Sequence, residues 1–227
     1  SLKYFLFGAA SSAVMIYGIS ILYGLTGSLD FTSQVFSDTI ITQSSPLFLI
    51  GTLLTLSGFL YKIAAAPMHV WAPDVYQESP IAVVAFFSTI PKLAGMGILT
   101  RVLIAVNLHG QWTYDWPMII SIVAIATLTI GNFSALWQKN AKRLMGYSSV
   151  AQAGFMLVGL AAFSVQGIRF MLFYAGVYLL INFLVFLYLQ FFQGKNFILL
   201  EDFAGSGKKF LWPHIFLLVG FIALTGL

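Results

Sequence analysis

The sequence contains no cysteine, and charged residues make up only 8% of its 227 residues, against roughly 25% in soluble proteins. Without cysteine, the chain has no disulfide, no thiolate nucleophile, no zinc–cysteine site and no thiolate ligand for an iron–sulfur cluster. Its three histidines, His69, His109 and His214, are too far apart in sequence for a metal-ligand motif. The composition therefore offers no cysteine or clustered histidine ligands for a metal, and we expect this chain to bind no cofactor of its own.

The sequence is instead rich in apolar residues, at 59% of the chain with a mean hydropathy of +0.93. Such a chain cannot cover itself with polar surface, and a helix of about 20 apolar residues is needed to cross a bilayer. We therefore predict an all-α polytopic membrane protein, a single bundle of about seven transmembrane helices in contact with lipid. The candidate spans lie near residues 4–25, 47–70, 81–106, 117–137, 144–164, 168–192 and 210–227, the seventh being cut short.

The basic residues outside the spans are unequally divided between the two membrane faces. If consecutive spans alternate in direction, one face carries Lys3, Lys139, Lys142, Arg143, Lys195, Lys208 and Lys209, together with the loop 71–80. The other face carries Arg101 and Arg169, and we expect Arg101, near a span end, to reach the interface. The positive-inside rule makes the first face cytoplasmic. We attribute the net charge of +4 to this orientation and find no nucleic-acid-binding pattern.

Two lysines, Lys62 and Lys92, fall inside predicted spans, each near a proline. A charge at membrane depth costs several kcal/mol unless it is paired, neutral or facing water, so it indicates a functional site. Pro67 lacks an N–H group and predicts a helix break within 47–70, where the freed backbone must meet protein or internal water. Lys62, the break and His69 together predict a polar pocket inside the bundle. Lys92 lies about 11 residues into its span, which is roughly 16 Å along the helix axis and therefore close to the middle of the membrane.

No Asp or Glu falls inside any span, so the partners of the two lysines are other polar groups or acids elsewhere. A desolvated lysine can titrate near neutral pH, which suits a proton relay through Lys62 and Lys92 with His69 as an intermediate. The structural alternative is that each lysine pairs with an acid in another part of the protein or extends to a membrane interface. Three further polar residues, Ser148, Ser149 and Gln152, could line a hydrated path. We expect Asn182 to form an interhelical hydrogen bond. Asp74 and Glu78 are expected to be solvated or helix-capping residues in a loop.

Five segments carry a resemblance to a known family: KIAAAPMHVWAPDVYQESP (62–80), STIPK (88–92), GNFSAL (131–136), KRLMGYSS (142–149) and EDFAG (201–205). In this order they resemble the antiporter-like membrane subunits of respiratory complex I, the NADH-quinone oxidoreductase, and among these most of all subunit N, the bacterial counterpart of mitochondrial subunit 2. The resemblance covers nearly the whole chain. It implies that the chain is a fragment corresponding to the sixth to twelfth helices of a protein of about fourteen helices.

The resemblance also implies roles for several residues. The helix like 47–70 is discontinuous in that family, its lysine is a central proton-channel residue, and the lysine matching Lys92 links one half-channel to the next. Gln152 stands where some members carry a histidine. The implied partners are other membrane-arm subunits, with FMN, iron–sulfur clusters and NADH bound by partner subunits and quinone chemistry occurring elsewhere in the complex.

From these observations we expect a proton-translocating subunit in the bacterial inner membrane, the alternative location being an organellar energy-converting membrane. Two other functions stay open. The first is a subunit of a multisubunit Na⁺/H⁺ antiporter or of a membrane-bound hydrogenase, which shares the broken lysine helix. The second is a structural membrane scaffold whose lysines are salt-bridged.

Overall fold

A computed structural model describes residues 2–31, 33, 36, 38, 46–107, 114–195 and 197–224, and over these ranges the chain is helical without a β-strand. His109, most of the loop 28–46 and residues 225–227 of the last predicted span lie outside the described residues. The helices are α1 (Leu2–Thr26), α2 (Pro46–Ile63), α3 (Trp71–Glu78), α4 (Ile81–Asn107), α5 (Trp116–Leu136), α6 (Ala141–Ala161), α7 (Val165–Gln193) and α8 (Leu211–Leu224), with two short 3₁₀ turns at Leu200–Phe203 and Ser206–Lys208.

Six of these helices, α1, α2, α4, α5, α6 and α7, are long and apolar enough to cross a membrane, and α8 is a shorter apolar helix. The predicted fold class is thus confirmed: the chain is an all-α, multi-pass membrane protein. The predicted span 47–70 is the one that differs most from the structure, because its helix ends at Ile63.

The helix break begins three residues before Pro67. Ala64 has a φ of 56°, in the left-handed region. Its N–H donates to the carbonyl of Tyr61 at 3.0 Å, and the N–H of Ala65 donates to the carbonyl of Leu60 at 2.9 Å. These two bonds form a Schellman motif, which satisfies carbonyls that a helix end leaves open, here with alanine at the position usually taken by glycine. The break is therefore closed by local backbone bonds before the chain reaches Pro67.

Residues 71–78 form the helix α3 rather than the predicted loop. Trp71, Ala72, Val75 and Tyr76 are buried, as expected for side chains four residues apart on one helix face. Asp74, in the first turn, forms ion pairs with Lys3 and Arg143. Asp74 therefore lies on a helix rather than in the predicted loop, and its partly exposed carboxylate in the first helical turn links α1 to α6.

Contacts between the loops agree with the predicted sidedness. Asp74 joins the start of α1 to the start of α6 through Lys3 and Arg143, and the Lys142 ammonium donates to the carbonyl of Ser79 at 3.1 Å. The backbone of Asn140 pairs with that of Leu199. All four segments that the charge count places on one face thus meet at one end of the bundle. Its assignment as the cytoplasmic end remains a prediction from the charge bias.

Small residues allow close helix packing. A Cβ added at Gly131 of α5 would lie 2.8 Å from the Cα of Ala151 in α6, and one added at Gly58 of α2 would lie 2.6 Å from the Cβ of Met15 in α1. Without a hydrophobic driving force between helices in lipid, such close backbone approach supplies much of the association energy. These contacts hold α5 against α6 and α1 against α2.

Candidate functional site

Lys92 lies in the centre of the bundle and is only 1% exposed. Its ammonium donates to the hydroxyl of Ser149 on α6 at 2.6 Å and also to the backbone carbonyl of Ser149. The same nitrogen lies 5.7 Å from the centre of the Tyr178 ring on α7. These described contacts include no carboxylate. A lysine that reached an interface would expose its ammonium, so the burial excludes that role for Lys92.

The Ser149 hydroxyl is the centre of a wider network of polar groups. Its oxygen lies 3.1 Å from the hydroxyl of Tyr76 on α3 and 3.0 Å from the hydroxyl of Tyr178. Tyr178 donates to the carbonyl of Ser88 at 3.1 Å, and the Asn182 amide donates to the hydroxyl of Ser88 at 2.5 Å. The predicted interhelical hydrogen bond of Asn182 is thus confirmed. Four helices, α3, α4, α6 and α7, contribute to a polar core around one lysine.

The other two polar candidates on α6 differ from Ser149. Gln152 is buried one turn further along the helix, where its side-chain oxygen accepts a hydrogen bond from the hydroxyl of Tyr174 on α7. Ser148 is half-buried and takes no part in the hydrogen bonds around Lys92. Residues three apart share a helix face, which places Ser149 and Gln152 toward the interior, whereas Ser148 points to a different side.

Lys62 is exposed on the described part of the chain and makes no hydrogen bond or ion pair to it. Its side chain lines a cavity of about 320 Å³ between α1 and α2. The described residues do not enclose Lys62, so a polar pocket formed by Lys62, the break and His69 stays a prediction. Helix phase explains the direction of Lys62: it lies four residues after Gly58, which faces Met15 of α1, so Lys62 is on the face of α2 that is turned toward α1.

His69 lies in the break between α2 and α3, with its ring half-buried. Its carbonyl accepts a hydrogen bond from the N–H of Ala72 at 2.9 Å, which opens α3, and its ring bonds to neither lysine. A neighbouring helix also stabilises the break, because the N–H of Ala66 donates a hydrogen bond to the Thr127 hydroxyl of α5 at 3.0 Å. Pro67 lies in this segment as predicted, and the Ala66–Pro67 peptide bond is cis.

The two lysines lie on neighbouring helices but face different ways. A Cβ added at Gly95, three residues after Lys92, would lie 3.4 Å from the Cβ of Lys62 and 2.8 Å from a methyl group of Ile63. The helix α4 therefore passes close to the end of α2 within one turn of Lys92. Arg101, further along α4, is exposed near the helix end, which agrees with the predicted interfacial position.

Sequence reasoning missed three residues of this site: Tyr76, Tyr178 and Thr127. All three are nearly fully buried. A hydroxyl group buried in a membrane protein needs a partner, so Tyr178 and Thr127, in the middle of apolar spans, could have been recognised as polar groups facing the bundle interior. Tyr76 carried no such signal, because its segment was predicted to be a loop.

The chain matches a family of known membrane proteins along its whole length. The family described as NADH:quinone oxidoreductase/Mrp antiporter, transmembrane, matches residues 1–227. The chain belongs to this family. The NADH:quinone oxidoreductase/Mrp antiporter family includes the antiporter-like subunits that the sequence motifs resemble, so the resemblance is confirmed.

Several relatives support the family assignment. The NADH-quinone oxidoreductase subunit N 2 of Symbiobacterium thermophilum is 38% identical over 242 residues, an alignment that covers the whole chain and 47% of that protein. A chain of respiratory complex I from Thermus thermophilus, solved with bound aureothin, superposes with a TM-score of 0.79 at 33% identity, over all of this chain and 48% of the other.

A chain of the membrane-bound sulfane sulfur reductase, an archaeal respiratory membrane complex, superposes with a TM-score of 0.84 at 25% identity, over all of this chain and 46% of the other. The chain thus spans about half the length of the curated relatives it matches.

Proposed function

We propose that the chain is part of a proton-translocating membrane-arm subunit of an NADH:quinone oxidoreductase in the bacterial inner membrane, and that Lys92 carries the proton at the centre of the bundle. The observation that carries the proposal is the burial of Lys92 beside Ser149, with no carboxylate among its described contacts. A buried charge without a counter-ion is costly, whereas a lysine that alternates between the charged and neutral forms has a reason to be there.

The proposed relay runs between the two lysines. Lys62 faces the cavity beside α1, Lys92 lies in the polar core, and α4 passes close to the end of α2 at Gly95. His69, in the break, is a further proton carrier near the predicted cytoplasmic end. Ser149 and Gln152 line the inner side of α6, whereas the half-buried Ser148 is a weaker candidate. Protons cross in response to charge changes elsewhere in the complex, which alter the affinity of each lysine for its proton.

Electron transfer belongs to other subunits in this proposal. Within the described residues no group of three or more His, Cys, Asp or Glu could hold a metal ion. We assign FMN, the iron–sulfur clusters and NADH to partner subunits, and quinone reduction to a site outside this chain. The chain itself then contributes the proton path and contacts to neighbouring membrane-arm subunits. That it supplies seven helices of about fourteen stays a prediction.

The test uses the full-length subunit in the assembled complex, reconstituted in vesicles. Lys92→Ala should lower the number of protons moved per NADH oxidised by about tenfold or more, as expected for loss of a proton carrier. Lys92→Arg should not restore it, because arginine keeps its charge. Assembly is checked by the yield of intact complex. An undiminished proton yield in assembled Lys92→Ala complex would contradict the proposal.

The alternative within the family is an Na⁺/H⁺ antiporter subunit, because the family description includes Mrp antiporters. It predicts that a sodium gradient alone drives proton movement through the vesicles, without NADH. The scaffold alternative predicts that Lys92→Ala lowers the yield of complex while the complex that does assemble pumps normally. The hydrogen bond of Lys92 to the Ser149 hydroxyl, rather than to a carboxylate, favours proton transfer over a structural ion pair.

A further inference from the structure

The directions of the hydrogen bonds around Ser149 follow from the number of protons available. A serine hydroxyl has one proton to donate and two lone pairs, and it has three neighbours here: Lys92, Tyr76 and Tyr178. Protonated Lys92 can only donate, so it occupies one lone pair. The other lone pair and the single proton are shared between the two tyrosines.

The role of each tyrosine is decided by the carbonyl of Ser88. That carbonyl can only accept, and it lies 3.1 Å from the Tyr178 hydroxyl, so the single proton of Tyr178 is directed to Ser88. Tyr178 must then accept the proton of Ser149. Tyr76, the remaining neighbour, donates to Ser149. With Lys92 protonated, every proton and lone pair of the Ser149 hydroxyl is used.

Loss of the lysine proton changes this arrangement at one point. A neutral amine has a lone pair, and an unsatisfied lone pair in a buried site is costly. Among the described residues, the hydroxyl proton in hydrogen-bond range of the amine is that of Ser149. The Ser149 hydroxyl can turn from Tyr178 to Lys92 while it still accepts from Tyr76 and keeps its own proton.

We propose that the Ser149 hydroxyl is a two-position rotor, donating to Tyr178 when Lys92 is protonated and to Lys92 when the amine is neutral, and that Tyr178 and Tyr76 are the positioning residues that set the balance. Tyr178 stabilises the protonated lysine by taking the serine proton. Tyr76 stabilises the neutral lysine, because its donation makes Ser149 a stronger donor and a weaker acceptor. The inference rests on the proposed proton-carrying role of Lys92.

The helices packed around Lys92 present few other titratable groups. From α3 the facing group is Tyr76, and from α7 it is Tyr178. The described contacts from α6 come from Ser149 alone, and Lys62 of α2 lies in the cavity beside α1. A change in the pH dependence caused by either tyrosine is therefore attributable to the Ser149 network.

The test compares two phenylalanine variants of the full-length subunit in reconstituted complex. Tyr178→Phe should move the alkaline limb of the proton-translocation profile to lower pH, by roughly 0.4 to 1 pH unit for one hydrogen bond. Tyr76→Phe should move it to higher pH. The matched control is Tyr188→Phe, also on α7, whose hydroxyl contacts His214 instead. Shifts of the two variants in the same direction, or none beyond the control, would overturn the proposal.

A second measurement detects the direction of the Ser149 hydroxyl independently of proton translocation. The infrared C–O stretch of Tyr178, identified as the band lost in Tyr178→Phe, should shift between acid and alkaline pH, because Tyr178 loses the serine proton when Lys92 becomes neutral. The shift should vanish in Lys92→Met. A pH-independent band would reject the rotor even if Lys92 variants stop pumping. A shifting band together with normal pumping by Lys92→Ala would reject the proposed function and leave the rotor standing.

Discussion

The indole Nε1 of Trp71 donates a hydrogen bond to the carbonyl of Tyr61 at 3.1 Å. This bond joins the last turn of α2 to the first residue of α3 and so spans the helix break. The same carbonyl accepts from the N–H of Ala64. A backbone group freed inside a membrane is tolerated only where protein or water meets it, and here a side chain from beyond the break does so.

Trp71→Phe should destabilise the break, because phenylalanine keeps most of the buried ring but cannot donate. We expect the free energy of unfolding to fall by about 1 kcal/mol, the net value of one hydrogen bond, because the Tyr61 carbonyl still accepts a hydrogen bond from the N–H of Ala64. The measurement is thermal unfolding of the purified complex, followed through this subunit. Trp137→Phe is the control, because Trp137 is 84% exposed. Equal losses from both variants would contradict the assigned role of Trp71.

Lys62→Ala should separate proton movement from stability. The Lys62 side chain is exposed and makes no bond to the described chain, so its removal should change the free energy of unfolding by less than about 0.5 kcal/mol. Proton yield per NADH should still fall by about tenfold or more if the lysine is a proton carrier. Leu53→Ala, an exposed site on the same helix, is the control. Loss of stability with normal proton yield would indicate a structural lysine.

Asp74→Asn should remove an acid-sensitive contribution to stability. The hydrogen bond from Lys3, followed by the contacts of Arg143, lowers the pKa of Asp74 below its ordinary value. A carboxylate with a lowered pKa in the folded state stabilises the protein above the unfolded-state pKa and loses that effect as the pH falls through the folded-state pKa.

Because Lys3 is well exposed, we expect about 1 kcal/mol or less from the Asp74 ion pairs at neutral pH. Unfolding midpoints of the native protein and Asp74→Asn should differ at neutral pH, begin to converge at about pH 4, and meet only below the lowered folded-state pKa of Asp74. Glu201→Gln makes the same charge change at an exposed site of the same face. A difference that persists unchanged at low pH would show that charge is not its source.

The membrane orientation can be tested with single cysteines, because the chain has none of its own. Cysteine at Lys208, exposed on the basic face, should react with an impermeant thiol reagent only from the cytoplasmic side. Cysteine at Leu29, exposed just after α1, should react only from outside. Labelling is measured in intact cells and in inverted vesicles. The reversed pattern would refute the orientation derived from the positive-inside rule.

Much of the architecture was predictable, because membrane helices are specified by local composition. Apolar runs of about 20 residues predicted the spans, and Pro67 predicted the approximate position of the helix break. The distribution of basic residues predicted that α3, the start of α6 and the segment 193–209 lie at the same membrane face. The start of the break was not predictable, since it depends on Ala64 adopting a left-handed conformation that alanine rarely takes. The helix α3 was missed because eight residues are too few for a clear periodic pattern.

The candidate site, like the fold, was only partly predictable from the sequence. The sequence by itself determined that Lys62 and Lys92 are charges at membrane depth with no acid in any span, because these facts depend only on residue type and position along the chain. Only the tertiary structure decided that Lys92 is enclosed while Lys62 faces α1, and that Ser149, Tyr76 and Tyr178 meet at one oxygen. The direction of a side chain depends on helix phase and on which helices pack together, and those contacts join residues far apart in sequence.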